Sequence, residues 1–472
     1  MLAARLVRFA PRAALLLGLA SVARAAPPVP IQQIDVAVAA EMQRQKVPGL
    51  ALAVVLRGEV HFAKGYGLAN VEHAVPVTTD TVFQSGSVGK QFTATAVMLL
   101  VEDGKLSLED PITRFFPAAP PHWKGITVRH LLTHTSGIPD YEEDKLDLRK
   151  DYGEEELTNF AMALKPAFGP GSRWSYSNTG YVLLGFIVRK ASGQFYGDLL
   201  RDRVFAPIGM KTARVISEEE IVLHRAGGYR LVKDELKNQE WVSPSLNRTA
   251  DGALYLTLRD FLAWDKALRA GAVLKPESWA KVYAPVRLAS GKTYPYGFGW
   301  FVDQDYGQLR IHHGGGWQGF KAYISRYLGD DLTILVLANL RDADPEAFVE
   351  RVATLFNPKL ASPKEANQAL DPAMALRIRK LLADTRAGKL VQEDFSYVRA
   401  GFFPKGPEAF RKLLEPLGDP GRVLLIQRLE EGDDVSFRCR AVFKAGSLEL
   451  YVRFAPDGKV SGYYLWEDER RE

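Results

Sequence analysis

The chain is short of cysteine: among 472 residues there is one, Cys439, so no disulfide can form within the molecule. It also lacks an excess of either charge. The formal net charge is +5, and Arg5, Arg8, Arg12 and Arg24 supply four of those charges, with no acid in the first thirty residues. The remainder is close to neutral, without the basic stripe that neutralises nucleic-acid phosphates, so no nucleic-acid partner is expected. Long apolar runs are missing as well. No stretch reaches the roughly 18 residues that announce a membrane-spanning helix. No G-x-S-x-G elbow occurs, which disfavours an α/β-hydrolase.

What is present is an ordinary globular composition, 47% hydrophobic and 25% charged, which excludes long disorder, collagen-like sequence and a coiled coil. The length accommodates two or three domains of roughly 100–200 residues. Residues 1–25 stand apart: a basic start, the apolar run AALLLGLA at 13–20, then Ala23-Arg24-Ala25. This reads as a signal peptide cleaved after Ala25, giving a periplasmic or secreted protein with no transmembrane segment once the signal is gone.

Residues 26–357 read as one α+β domain. Two strands at 49–56 and 59–64 flank an Arg57-Gly58 turn, the pattern of a hairpin. Residues 89–103 are apolar nearly all round and precede Gly104, which predicts a buried helix with a left-handed stop. Four strand-like runs follow from Tyr296 (YGFGWFVD, GQLRIHH, GFKAYISRY, DLTILVLAN), then a helix at 345–356. Strands at both ends with helices between them predict a single antiparallel sheet, completed by the two ends of the domain and packed on helices. A Lys/Pro/Ala/Asn-rich stretch at 358–372 reads as a linker. Residues 373–472 read as a small α+β domain with helices near 373–382 and 407–414 and four strands, and suggest no chemistry. Within it Cys439 shares a strand face with Phe437, Ala441 and Phe443, as a buried structural thiol would.

Three segments carry chemistry. In FQSGSVGKQFTA, Ser87 and Lys90 stand three apart at the mouth of the buried helix, which puts both side chains on one face. A serine hydroxyl needs a base to become a nucleophile, and a lysine can be that base when burial or a nearby positive field depresses its pKa. Alone, the pair fits an N-cap and a surface charge equally well, and Ser278 with Lys281 repeats the spacing without a glycine-rich approach or an apolar helix behind it. PGSRWSYSNTGYVLLG places Tyr176, Ser177 and Asn178 in a turn before a helix. Tyr176 suits proton relay and Asn178 a substrate amide or carbonyl; the simpler alternative is that Ser177 or Asn178 caps the helix. Finally, RIHHGGGWQGF joins His313 to Gly314, Gly315 and Gly316, either a strand edge that lets backbone approach a ligand, or a flexible hairpin turn. In the first case an N–H of that edge can join the Ser87 N–H as an oxyanion hole.

In this order and spacing the segments resemble the serine β-lactamase and penicillin-binding protein superfamily, in the branch shared by class C β-lactamases, D-aminopeptidases and related esterases. The resemblance spans about residues 48–356 and includes VRHLLTHTSGIPDY, VFAPIGMKTA and DGALYLTLRDFLAW. It implies a β-lactamase/DD-peptidase-like antiparallel sheet flanked by helices, with Ser87 as the acylating serine and Lys90 and Tyr176 as its general acid/base partners. It further implies Asn178 as a substrate contact, His313, Gly314 and Gly315 in the place of the usual Lys-Thr-Gly, and the N–H groups of Ser87 and Gly316 as the oxyanion hole. No cofactor or metal is implied, and the partner is a small-molecule or peptide substrate.

The expected activity is hydrolysis of small esters or amides, as in an esterase or a D-amino-acid peptidase. The alternatives are a β-lactamase or penicillin-binding DD-peptidase, and a non-catalytic protein that binds cell-wall peptide. A histidine in place of lysine at 313 is expected to titrate between about pH 5 and 8 and to attract a substrate carboxylate only below that range. His130 and His134 have the i, i+4 spacing of a zinc helix but lack its glutamate, Leu131 standing there, so they read as packing or hydrogen-bonding residues. His312 and His313, being adjacent, face opposite sides of a strand and cannot share an ion.

Overall fold

The computed structural model describes residues 29–141, 146–305, 307–360, 370–396 and 402–467. The signal peptide expected at 1–25, with its cleavage after Ala25, lies outside the described residues.

A hairpin opens the sheet. Strands β1 (Gly49–Leu56) and β2 (Glu59–Asn70) meet at Arg57 and Gly58, whose φ values of 53° and 81° make the doubly left-handed turn that matches strand twist. The strand after the turn runs six residues past the predicted Lys64. Strands β3 (Phe301–Asp305), β4 (Gln308–Trp317), β5 (Phe320–Tyr327) and β6 (Leu332–Ala338) follow only after the long segment between Asn70 and Phe301, and β6 pairs antiparallel with β1. The order is β3-β4-β5-β6-β1-β2, with the two-residue strand Val75–Pro76 on the outer edge. The sheet is thus closed by the two ends of the domain, as the pattern of runs predicts.

Two layers cover this sheet. On the front, helix α2 (Lys90–Glu102) is buried from Lys90 to Leu100 and packs with Phe83, Trp264, Trp300 and Ile324. It ends before Gly104, at φ 70°. On the back, helices α1 (Ile31–Gln45) and, after β6, Pro345–Phe356 cover Val54, Val336 and Tyr323. The bounds of that last helix match the prediction because its start is fixed chemically. Asp344 Oδ1 accepts from the Glu346 and Ala347 N–H groups at 3.0 and 3.3 Å, and Pro345 opens the first turn. The run 296–303 departs from prediction, the strand starting only at Phe301. A Cβ on Gly299 (φ 76°) would lie 2.8 Å from the Lys90 carbonyl oxygen, so residues 296–300 cross the start of α2 before entering the sheet.

Leu360 is buried against the back layer; 361–369 lie outside the described residues, and Pro372–Arg386 is helical. A second helix, Lys405–Leu414, precedes a four-stranded antiparallel meander of Pro420–Glu431, Asp434–Phe443, Gly446–Phe454 and Val460–Glu467. Cys439 is fully buried there beside Phe437, Ala441 and Phe443, and burial pushes its thiol up to about 12. This unit abuts the first through polar contacts: Arg173 Nη2 with Asp434 Oδ2 at 3.0 Å, Arg453 Nη1 donating to Tyr294 Oη at 3.1 Å, and the Gly432 N–H donating to the Thr293 carbonyl at 2.8 Å. Among the described residues no helix is long and apolar enough to cross a membrane.

Candidate active site

The site is assembled where a tight turn, a helix N-terminus and an edge of the sheet converge. Ser87 lies in the 3-10 turn Gly86–Gly89 that feeds α2, and Lys90 is the first residue of that helix. The lysine is fully buried. Its Nζ lies 3.0 Å from Ser87 Oγ and 2.7 Å from Asn178 Oδ1, and it also hydrogen-bonds the Asp251 carbonyl. The Tyr176 and Tyr181 rings stand 4.9 and 5.3 Å from the same atom. The exposed-charge reading of Lys90 fails on this burial, whereas Ser278 and Lys281 do not repeat the arrangement: Ser278 is buried and Lys281 exposed.

The second segment does two jobs at once. Ser177 caps helix Asn178–Ser192, its Oγ accepting from the Gly180 N–H at 3.2 Å. That cap sets the chain direction so that Asn178, the first helical residue, points its carbonyl at Lys90. Asp140 fixes the amide: its carboxylate accepts from the Asn178 backbone N–H at 2.8 Å and from Nδ2 at 3.2 Å, leaving Oδ1 for the lysine. Asp251, whose carbonyl receives Lys90, takes the Tyr141 hydroxyl on Oδ2 at 3.0 Å. Asp140 and Asp251 escaped sequence reasoning, because no local pattern pairs an acid with an asparagine 38 residues away and a carbonyl acceptor carries no side-chain signal.

The glycines of β4 are explained by the serine turn. A Cβ on Gly315 would lie 2.1 Å from the Ser85 carbonyl oxygen and 2.7 Å from the Ser87 nitrogen, and one on Gly86 would lie 2.2 Å from the Gly316 nitrogen. Strand and turn therefore touch backbone to backbone, with the Ser87 and Gly316 nitrogens on the two touching segments. The hairpin-turn alternative is overturned: β4 runs on to Trp317, and the turn is Gln318-Gly319, at φ 43° and 83°. Gly314 faces the other way, a Cβ there meeting the Tyr323 ring at 3.1 Å, so it offers the cleft backbone alone.

His313 departs from expectation. Its ring is buried, with Nε2 3.1 Å from Tyr296 Oη and Nδ1 2.6 Å from the Gly314 carbonyl. Burial, reinforced by the Lys90 charge, lowers its pKa to about 3. The titration expected between about pH 5 and 8 is thereby corrected: the imidazole is neutral throughout that range. His312 does face the opposite side, toward Asp303 and Tyr323. His134 is buried too, its Nδ1 accepting from the Ser177 N–H at 3.1 Å and its Nε2 lying 3.2 Å from Tyr296 Oη. Burial and then Lys90 hold it well below the usual histidine range. His130 completes a capping box with Thr127. Both histidines of HLLTH are thus committed to hydrogen bonds within the fold. The bridging role of Tyr296 was also missed, its segment reading as a plain strand.

Comparison with known proteins gives the family. Residues 34–356 match the family described as Beta-lactamase. Penicillin-binding protein 4* of Bacillus subtilis is 32% identical over 363 residues, 71% of this chain and 80% of its own length. A D-aminopeptidase of Gluconobacter oxydans is 25% identical over 451 residues, 88% of this chain and 83% of that protein. Among solved structures, the D-amino acid amidase of Ochrobactrum anthropi superposes with TM-score 0.61 at 27% identity, covering 70% of this chain and 99% of the amidase. The octameric penicillin-binding protein homologue of Pyrococcus abyssi superposes with TM-score 0.64 over 93% of this chain and 96% of its own; at 24% identity it speaks to the fold. The chain belongs to the beta-lactamase family and is a serine hydrolase.

Proposed function

We propose that this is an exported hydrolase that cleaves small esters or amides, including D-amino-acid amides and peptides, through an acyl-enzyme on Ser87. The observation that carries the reading is the environment of Lys90 Nζ. Among its neighbours, Asn178 Oδ1 and the Asp251 carbonyl can only accept hydrogen bonds, and the resting ammonium donates to Ser87 Oγ as well. Once that ammonium gives up a proton, the amine keeps N–H bonds to the first two and turns its lone pair to the Ser87 hydroxyl, 3.0 Å away. Lys90 then takes the hydroxyl proton as Oγ bonds to the substrate carbonyl carbon. The carbonyl oxygen gains the negative charge, which in this reading the Ser87 and Gly316 N–H groups receive. When the carbon–leaving-group bond breaks, the proton passes by way of Lys90 and the Tyr176 hydroxyl to the departing oxygen or nitrogen. Water repeats the sequence to release the acid and restore Ser87.

Relatives named for D-aminopeptidase and D-amino acid amidase activity support the D-configured amide class. The neutral His313 weighs against efficient β-lactam hydrolysis, because that strand position offers a β-lactam carboxylate no fixed cation. The signal-like residues 1–25 support export to the periplasm or beyond. A fluorophosphonate probe should label one serine, mapped to Ser87 by mass spectrometry, with no label in Ser87→Ala. Lys90→Ala should slow labelling by about 10²–10⁴-fold. Labelling at Ser278, or of no serine, overturns the assignment and favours a binding protein.

A further inference from the structure

We infer that Tyr296 is a positioning residue: its buried hydroxyl ties the segment bearing Tyr176 and Asn178 to the strand bearing Gly315 and Gly316 through a chain of four hydrogen bonds with one possible direction. The inference rests on the reading of those residues as the parts that flank Ser87. It concerns how they are held in register, since the two segments are more than a hundred residues apart in sequence.

The direction follows from the two ends of the chain. At one end a backbone N–H, that of Ser177, donates to His134 Nδ1 at 3.1 Å. In a neutral imidazole one nitrogen accepts and the other carries the proton, so His134 is protonated on Nε2 and donates to Tyr296 Oη at 3.2 Å. At the other end His313 Nδ1 lies 2.6 Å from the Gly314 carbonyl, which can only accept, so Nδ1 carries the proton and Nε2 is bare. Tyr296 Oη, 3.1 Å away, must therefore donate to it. The ends independently demand that one hydroxyl accept from His134 and give to His313, which a phenol does with its single proton and a lone pair. No donor meets a donor anywhere along Ser177 N–H, His134, Tyr296, His313 and Gly314 C=O.

The surroundings protect this arrangement. Tyr296 is fully buried, as are His134 and His313 to within 2%. The groups that face them are the Tyr176 ring, 4.3 Å centroid to centroid from His134, the Tyr181, Trp174 and Phe301 rings, and Lys90 beyond Tyr176. The Tyr181 hydroxyl also lies within hydrogen-bond reach of Tyr296, but its proton goes to the Leu132 carbonyl at 2.8 Å, so it offers Tyr296 no competing donor. His312, on the far side of the strand, faces Asp303 instead. Among the described residues no carboxylate hydrogen-bonds either histidine of the chain, and the backbone hydrogen bond that favours the charged form of His313 is outweighed by burial and Lys90. The loop that delivers Tyr296 is anchored as well: Gly299 lies against the first turn of α2, and the Tyr296 carbonyl accepts from the Val286 N–H at 2.8 Å.

The test uses the full-length protein. Long-range proton–nitrogen NMR correlations of the imidazoles should show His134 protonated on Nε2 and His313 on Nδ1, the rarer tautomer, with both still neutral where an ordinary histidine, with a pKa of about 6.5, takes up its proton. Tyr296→Phe keeps the ring and removes the bridge. It should leave His313 protonated on Nδ1, which the Gly314 carbonyl fixes, shift the His313 Nε2 resonance through loss of its donor, and lower kcat for p-nitrophenyl acetate by about 10- to 100-fold with KM nearly unchanged, as expected when aligned groups lose register. Tyr294→Phe, which alters a neighbouring ring whose hydroxyl faces Arg453, should leave both readouts in place. A proton on His313 Nε2, or an unchanged kcat in folded Tyr296→Phe, overturns the inference. Should the variant fail to fold, the wild-type tautomers still decide. A wild type with the expected tautomers but no label at Ser87 overturns the proposed function and leaves the chain of bonds standing.

Discussion

Adjacent histidines on one strand, His312 and His313, have been given opposite surroundings. On the back face His312 stands between the Asp303 carboxylate at 2.9 Å and the Tyr323 hydroxyl at 2.7 Å, beside the buried Arg310 and, through it, Glu346. Burial would raise the Glu346 carboxyl, but the Arg310 guanidinium and His312 overcome that and hold it low. On the front face His313 meets a phenol, a carbonyl and aromatic rings, with no carboxylate among its partners in the described residues. The alternation of a strand is enough to separate a charged, structural face from a neutral, chemical one. The neighbours, rather than the residue type, decide which role a histidine plays.

The sharpest test of that division moves one methyl group by one residue. Gly315→Ala points a Cβ at the Ser85 carbonyl, 2.1 Å away, and the serine turn cannot yield without displacing Ser87. Losing one oxyanion donor typically costs about 10²–10³ in kcat, and a loss at least that large is expected here. Gly314→Ala points its Cβ at the Tyr323 ring, 3.1 Å away, where a small ring shift makes room. Its kcat should stay far closer to wild type while stability falls. Steady-state kinetics on one ester, with thermal melts of both variants, decide it; similar kcat losses in the two would mean that the faces are not separate.

On the back face the expected loss is in stability. Arg310→Met leaves Asp303 and Glu346 without their cation in a side-chain environment where Arg310 itself is 7% exposed. Breaking a fully buried pair costs roughly 3–5 kcal/mol. Because Glu346 keeps 38% of its side chain in solvent, about 2 kcal/mol is the better expectation for urea unfolding. The kcat of the folded fraction should not change. A variant as stable as wild type but catalytically impaired would move Arg310 to the chemical face.

How much of this was legible depends on whether the determinant is local. The Arg57-Gly58 turn, the helix start at Pro345 and the Ser87–Lys90 spacing lie within one or two turns of chain, and each is found where the sequence places it. That the two ends of the domain complete one sheet was legible, and β1 and β6, both continuous apolar runs that need two neighbours each, are where they join. The supports of the site were not. Asp140 reaches Asn178, and Tyr296 reaches His134, only after the whole domain has folded. Glycine at 315 looked like a ligand approach or a turn because a pattern of glycines reports close contact without naming the partner. The protonation of His313 was misjudged for the same reason: a pKa is set by burial and by Lys90, neither of which the strand's own residues reveal.

The smallest expected effect is the most discriminating between the faces, because it is a null result with a definite alternative. Were His313 a cation for the substrate, KM for a carboxylate-bearing ester would rise between about pH 6 and 8 as the imidazolium lost its proton. Burial and the Lys90 charge instead lower its pKa to about 3. The ring neither gains nor loses a proton across that range, and the ratio of KM values for a carboxylate-bearing and a neutral ester should stay constant. His313→Gln should keep the same flat ratio, since its amide can accept from Tyr296 and donate to Gly314 as the imidazole does. His313→Lys places an ammonium against the Tyr296 hydroxyl near Lys90, and should lose activity toward both esters alike rather than gain affinity for the anionic one. A wild-type ratio that climbs with pH and flattens in His313→Gln would restore His313 as the substrate's cation, and with it a charged front face.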